Sequence, residues 1–270
     1  MDARKIVTGW FGSKEAAPKA TMLNLGCGGS FHSSWVNVDV VATHPSVIRH
    51  DLRQSLPFPD AAFEAVYHSH VLEHLSREQG RFLIVECWRV LQPGGLIRVA
   101  VPDLETICRL YLRYLEEAVA GQPGAAEKYE WITLELMDQM VREYTGGQMA
   151  EYWAQEPMPA EEFVLERMGQ EVKGALTQLR RAPKGEAIKK PQKPSQAALF
   201  RQSGEVHKWM YDRYSLAKLL KDSGFVDVLP CSAYTSRIPN FDEYRLDTTE
   251  DGSVRKPDSL FMEAVKPVKS

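Results

Sequence analysis

Cysteine is scarce in this 270-residue chain: Cys27, Cys87, Cys108 and Cys231 are the only four, and no two form a C-x-x-C pair. That spacing excludes the common structural zinc ribbons and reads as reduced thiols in a cytoplasmic protein. Long apolar runs are also missing. No stretch approaches the roughly 18 residues of a membrane-spanning helix, and Met1-Asp2-Ala3-Arg4-Lys5 is followed by no apolar signal segment. A soluble protein without membrane insertion is expected. Basic excess is the third absence: 33 Lys and Arg stand against 36 Asp and Glu, for a net charge of −3. Such a chain has no general field for a phosphate backbone, so nucleic acid is not an expected partner. Oligomeric state is left open.

What is present is an ordinary globular composition, 44% apolar and 26% charged, long enough for a sizeable core. Short apolar runs alternate with helical patterns in the first half, the mark of an α/β fold with a mostly parallel sheet. Met22–Leu25, Val36–Val40, Ala65–His68 and Leu96–Val101 read as strands. A helix between the last two opens on the capping pair Ser76 and Gln79 and stops at Pro93-Gly94-Gly95; another follows Pro102-Asp103 and ends near Gly121. From about Ala125 to Ala182 the periodicity stays helical. The stretch 183–196 has three prolines, four lysines and one glutamate; it cannot bury enough surface to offset its ordering entropy and reads as a mobile, solvated loop. A helix over Ser215 to Asp222 and strands at Phe225–Leu229 and Leu260–Val265 resume the sheet. The expected organisation is a core over 1–119, a helical insertion over 120–204 and a return to the core over 205–270.

The strongest motif is Leu23-Asn24-Leu25-Gly26-Cys27-Gly28-Gly29, a strand running into glycines that permit a tight turn and close approach to a ligand. Eleven residues after Gly28 a second apolar run ends in Asp39, whose carboxylate could accept from two ribose hydroxyls. A plain βα turn and a surface acid are the alternative readings. Asp51, in Arg49-His50-Asp51-Leu52, follows a further apolar patch and precedes the turn-rich Leu56-Pro57-Phe58-Pro59-Asp60.

Taken in order, Leu23-Asn-Leu-Gly-Cys-Gly, Val38-Asp39, His50-Asp51-Leu52, Leu56-Pro-Phe-Pro-Asp60, Ser69-His-Val-Leu-Glu-His-Leu75, Arg89-Val-Leu-Gln-Pro-Gly-Gly95 and Val101-Pro-Asp103 resemble the class I methyltransferases that use S-adenosylmethionine. The resemblance is strongest to a type 11 group encoded with surface-saccharide biosynthesis genes. It covers residues 22–105, with weaker echoes at Glu205–Asp212, around Gly224-Phe225 and at Ser259–Ala264. It implies a Rossmann-like, seven-stranded sheet with an antiparallel last strand. It also implies S-adenosylmethionine as cofactor, with Gly26 and Gly28 against the methionyl part, Asp39 on the ribose and Asp51-Leu52 beside the adenine. Asn24, Cys27 and His68, at the ends of their strands, complete the expected cofactor contacts. Two features depart from the pattern: Asn24 stands where the group has an acid, and only ten residues separate Leu25 from Val36, so the first helix must shrink to about a turn.

Methyl transfer needs an acceptor held in line at about 3 to 3.5 Å with water excluded. A hydroxyl acceptor also needs a base, worth roughly 10² to 10⁴-fold. The expected bases are His70, then His207, then Asp103, each near strand C-termini. His207, Trp209 and Tyr211 alternate, so they either share one face of an acceptor pocket or pack the sheet edge. His68, His70 and His74 need not converge, so no metal is expected. The leading reading is O-methylation of a sugar or other small polar acceptor, with the insertion as a lid. A non-catalytic protein that binds the cofactor or its demethylated product, or serves as a scaffold, is the alternative. A nicotinamide-dependent oxidoreductase is disfavoured, since Phe31 stands where a dinucleotide fingerprint wants glycine and Asp39 comes too early.

Overall fold

The computed structural model describes residues 21–181 and 188–268. Its sheet contains β1 (Met22–Leu25), β2 (Val36–Asp39), β3 (Val47–Arg49), β4 (Phe63–Ser69), β5 (Leu91–Pro102), β6 (Val226–Cys231) and β7 (Ser259–Val265), in the order β3-β2-β1-β4-β5-β7-β6. The ladders from β3 through β5 are parallel, and β7 runs antiparallel to both β5 and β6. This is the expected Rossmann-like α/β sheet with one reversed strand. The chain leaves β1 towards β2 on one side while β4 lies on the other, so strand order reverses between β1 and β4. A crevice opens above their C-terminal ends, where such sheets take ligands.

Helix α1 (Arg77–Val90) starts where the capping pair places it: Ser76 Oγ accepts from the Gln79 N–H, and the Gln79 side chain accepts from the Ser76 N–H. It buries Leu83, Ile84, Cys87 and Val90 against the sheet. Its other face explains the Leu56–Asp60 motif. Glu86 accepts from the Leu56 N–H at 2.7 Å, and Arg89 reaches the Leu56 and Phe58 carbonyls and Asp60, pinning the turn that enters β4. Helix α2 (Leu104–Val119) follows β5, and α8 (Arg213–Asp222), capped by Asp212 and ended at Gly224, returns the chain to the sheet.

Between them lie α3 (Ala125–Val141), α4 (Gly147–Trp153), α5 (Glu161–Met168), α6 (Gln170–Arg181) and α7 (Pro194–Phe200). Helices α3 to α6 share a second core around Trp131, Ile132, Tyr152, Trp153 and Val164, and that core reaches back to Ile107 and Tyr114 of α2. The helical layer thus begins before residue 120, on the helix that leaves the sheet. Part of the expected mobile loop, 183–187, lies outside the described residues. Its end is ordered: Pro194 opens α7, and the Gln196 side chain accepts from the Gln192 and Lys193 amides, a local capping arrangement that a composition-based reading overlooks. Strand β3, three residues long, is too short to announce itself by periodicity. Among the described residues no helix is long and apolar enough to cross a membrane.

Candidate active site

The crossover from β1 to β2 contains no helix; residues 26–35 form turns only. Asn24 supplies the missing order. Fully buried, it donates from Nδ2 to the Ser30 carbonyl at 3.1 Å and to Asn37 Oδ1 at 3.2 Å, while Asn37 donates to the carbonyls of His32 and Trp35. Two buried amides hold the loop that elsewhere a helix would hold. Gly26, at φ +64°, lets the chain turn away from β1; a Cβ there would stand 2.3 Å from Val71 Cγ2. Gly28, at φ +52°, has nothing within 4 Å of its Cβ position and faces open space.

Two cavities open on this edge. One, of about 270 Å³, is lined by Asn24, Gly26, Cys27, Gly28, His70 and others. The second, of about 220 Å³, is lined by Gly26, Asp39, Asp51, Leu52 and His70, with Gln202, Ser203, Gly204 and Lys208 across from them. Asp39 accepts the Gly28 N–H at 2.8 Å through Oδ2 and the Val41 N–H at 2.9 Å through Oδ1; each oxygen retains acceptor capacity. Asp51 is clasped by Arg53 at 2.7 Å, and that hydrogen bond holds its carboxyl below the usual range. Burial, aided by the charge of Asp39, pushes the Cys27 thiol up to about 11, so it stays protonated at neutral pH and is no nucleophile.

His70, the residue after β4, is in the left-handed region, φ +54°, a conformation histidine tolerates better than most residues. This turn swings its ring into both cavities. Its Nε2 lies 2.7 Å from Ser259 Oγ, and its Nδ1 lies 3.1 Å from Glu73 Oε1, close in distance though not aligned as a hydrogen bond. Glu73 sits in the 3-10 turn Leu72–His74 and is fully buried. Burial raises a carboxyl, yet the adjacent His70, His74 and His207 outweigh it and hold Glu73 well below its ordinary value. The Glu73 carbonyl also accepts the Lys208 and Trp209 amides, which draws the 206–211 segment across the site.

Three expected site residues, His68, Asp103 and His207, line neither of these two cavities. His68 lines neither cavity; it is fully buried with both ring nitrogens unpartnered among the described residues, and burial pushes its pKa down to about 4. Asp103 caps α2, accepting from the Glu105 and Thr106 amides and the Thr106 hydroxyl, and lines neither cavity. Side-chain alternation across 207–211 also breaks. His207 and Tyr211 are buried, whereas Trp209 is 37% exposed under the Arg77 guanidinium. Only an isolated bridge, Asp103 to Tyr211, pairs this segment, so no ladder enforces a common face. Among residues that sequence reading missed are Ser259, Asp247, Lys256 and the 202–204 and 208 positions; none belongs to a spacing that signals a site, because each arrives from a loop or strand end far along the chain.

Residues 35–99 match the family model described as "Methyltransferase domain". A probable S-adenosylmethionine-dependent methyltransferase of Mycolicibacterium smegmatis is 45% identical over 65 residues, 24% of this chain and 24% of that protein. Demethylmenaquinone methyltransferase of Tropheryma whipplei is 34% identical over 92 residues, 31% of this chain and 36% of the relative. The matches thus span about a quarter to a third of the curated relatives. A SAM-dependent methyltransferase structure from Archaeoglobus fulgidus aligns over 97% of this chain and 94% of its own, at 13% identity and a TM-score of 0.36. The matched residues 35–99 include Asp39, Asp51, Leu52 and His70, which line the two cavities.

Proposed function

We propose that this chain is an S-adenosylmethionine-dependent methyltransferase acting on a hydroxyl of a small polar acceptor, a saccharide being the leading class. The observation that carries the reading is convergence: Gly26, Asp39, Asp51 and Leu52, separated by up to 26 positions in sequence, line one cavity, and His70 joins it to a second. The residues suit the cofactor. Asp39 offers spare acceptor capacity to a vicinal diol, Leu52, Val71 and Leu75 give apolar flanks for a purine, and Gly28 leaves room for close backbone approach. When bound, the cofactor supplies a methyl group already activated on a sulfonium sulfur.

The chain's own task is then positioning, desolvation and a proton. With Glu73 facing Nδ1, a proton on that nitrogen leaves His70 Nε2 bare to accept one. Ser259 Oγ, 2.7 Å from Nε2, occupies the direction from which an acceptor hydroxyl would deliver its proton. Glu73 acts through His70 as a positioning residue. Gln202, Ser203, Gly204 and Lys208 follow α7 and line the second cavity together with Asp39, which suits a lid role for the helical insertion.

Calorimetric titration with S-adenosylmethionine and S-adenosylhomocysteine tests the reading, with NADH as control. Micromolar binding lost in Asp39→Ala supports it and licenses an acceptor screen beginning with sugars. Absence of binding to both sinks it. If turnover is found, His70→Ala is expected to lower kcat by 10² to 10⁴-fold with little change in cofactor affinity.

A further inference from the structure

A third cavity, of about 340 Å³, lies behind His70 and is lined by Glu73, His74, His207, Arg142, Glu205 and Asp258, among others. We propose that it holds a divalent transition-metal ion on Glu73, His74 and His207. One candidate ligand atom from each of the three lies within 4.8 Å of the other two. Metal bonds of about 2.0–2.2 Å put tetrahedral ligand atoms roughly 3.4 Å apart, so side-chain rotation need close the cluster by at most about 1.4 Å.

The cluster also carries more unmet polar demand than a packed interior tolerates. Glu73 Oε2, His74 Nδ1, His207 Nδ1 and the neighbouring Asp258 Oδ1 are buried and find no hydrogen-bond partner among the described residues. Glu73 is 0% and His207 5% exposed. Native structures leave few such groups, and several in one place call for a bound species. The His74 and His207 rings meet edge to face, centroids 4.9 Å apart, rather than hydrogen-bonding each other. Two imidazoles and one carboxylate favour zinc, manganese, iron(II) or cobalt over calcium or magnesium, which prefer all-oxygen shells. Three protein ligands would leave at least one coordination position open, and His70 lines the same cavity.

The fold, not the spacing, makes this set. Glu73 and His74 are adjacent in a 3-10 turn, while His207 arrives from 133 residues later, held by its own amide on the Gln139 carbonyl and by the Lys208 and Trp209 amides on the Glu73 carbonyl. The proposal is independent of the methyl-transfer reading, since a metal can bind whether or not the protein turns over a substrate.

Chelator-treated full-length protein is titrated with ZnCl2 and MnCl2 by calorimetry, and loaded with Co²⁺ for visible absorption. One equivalent bound at micromolar or tighter affinity is expected, weakened more than about 100-fold in His207→Gln and in His74→Gln, beyond the 10–100-fold typical of an outer-shell change. Near-UV circular dichroism checks that each variant is folded. X-ray absorption of the zinc-loaded wild type, which needs no variant, is expected to show nitrogen and oxygen ligands including two imidazoles. No stoichiometric binding, sulfur ligation through the cysteines, or wild-type affinity in folded His207→Gln and His74→Gln would each overturn the proposal.

Discussion

Arg98, on the interior strand β5, has no exposed surface, and replacing it by methionine tests how the loop beneath the first cavity is held. Its guanidinium lies 2.7 Å from Asp247 Oδ2 and 2.8 Å from Glu263 Oε1, and it donates to the Ser232 and Thr235 carbonyls. Asp247 in turn accepts the Tyr67 hydroxyl at 2.6 Å, and both Asp247 and Tyr67 line that cavity. Methionine fills much of the volume but leaves two carboxylates, each about 2% exposed at the side chain, without their central cation. Breaking a buried pair from one side costs about 3–5 kcal/mol. For a chain of this size that is a fall in Tm of roughly 6–20 °C. Urea denaturation at neutral pH, followed by far-UV circular dichroism, should show the midpoint falling with an unchanged slope. The second half of the test is a cycle with Asp247→Asn. In the Arg98→Met background this change removes an unpaired charge and should recover part of the loss; alone it should destabilise. Additive effects, or a loss under about 1 kcal/mol for Arg98→Met, would refute the reasoning.

Gly26→Ala forces a Cβ against Val71 at a positive φ; it is expected to destabilise by about 1–3 kcal/mol and to weaken S-adenosylmethionine binding at least 10-fold by titration. Gly28→Ala, with open space at its Cβ position, should cost only the left-handed backbone term of about 1–2 kcal/mol. His68 is neutral in the fold, its pKa depressed by burial from 6.5 to about 4. The unfolded chain therefore binds a proton first as pH falls, so the stability His68 confers is complete above pH 6.5 and is lost towards pH 4. The full difference is about 3 kcal/mol. Urea melts at pH 7 and pH 5 should show His68→Phe less acid-sensitive than wild type, and equal sensitivity would remove His68 as the cause.

What was legible in the sequence is what a single continuous strand and its following loop carry. Leu25 runs into Gly26 and Gly28, and Val38 into Asp39; because parallel strands end on one edge of the sheet, naming the strand ends suffices to place these residues together. The capping pair at Ser76 and the return strands at 226 and 259 are equally local signals. Illegible features depend on how distant pieces close. That Asn24 would replace a helix by binding Ser30 and Asn37 follows only once β1 and β2 are paired. Alternation suggested a common face for His207, Trp209 and Tyr211, but alternation has force only within a ladder, and this segment has a single bridge. His68 and His70 differ by two positions, which in an unbroken strand would point them the same way. The left-handed turn at His70 separates them instead, leaving one sealed in the core and the other facing two cavities. Where a strand stops obeying its own period, the turn and not the spacing sets the partners, and it is this turn that brings His70 Nδ1 to 3.1 Å from Glu73 Oε1.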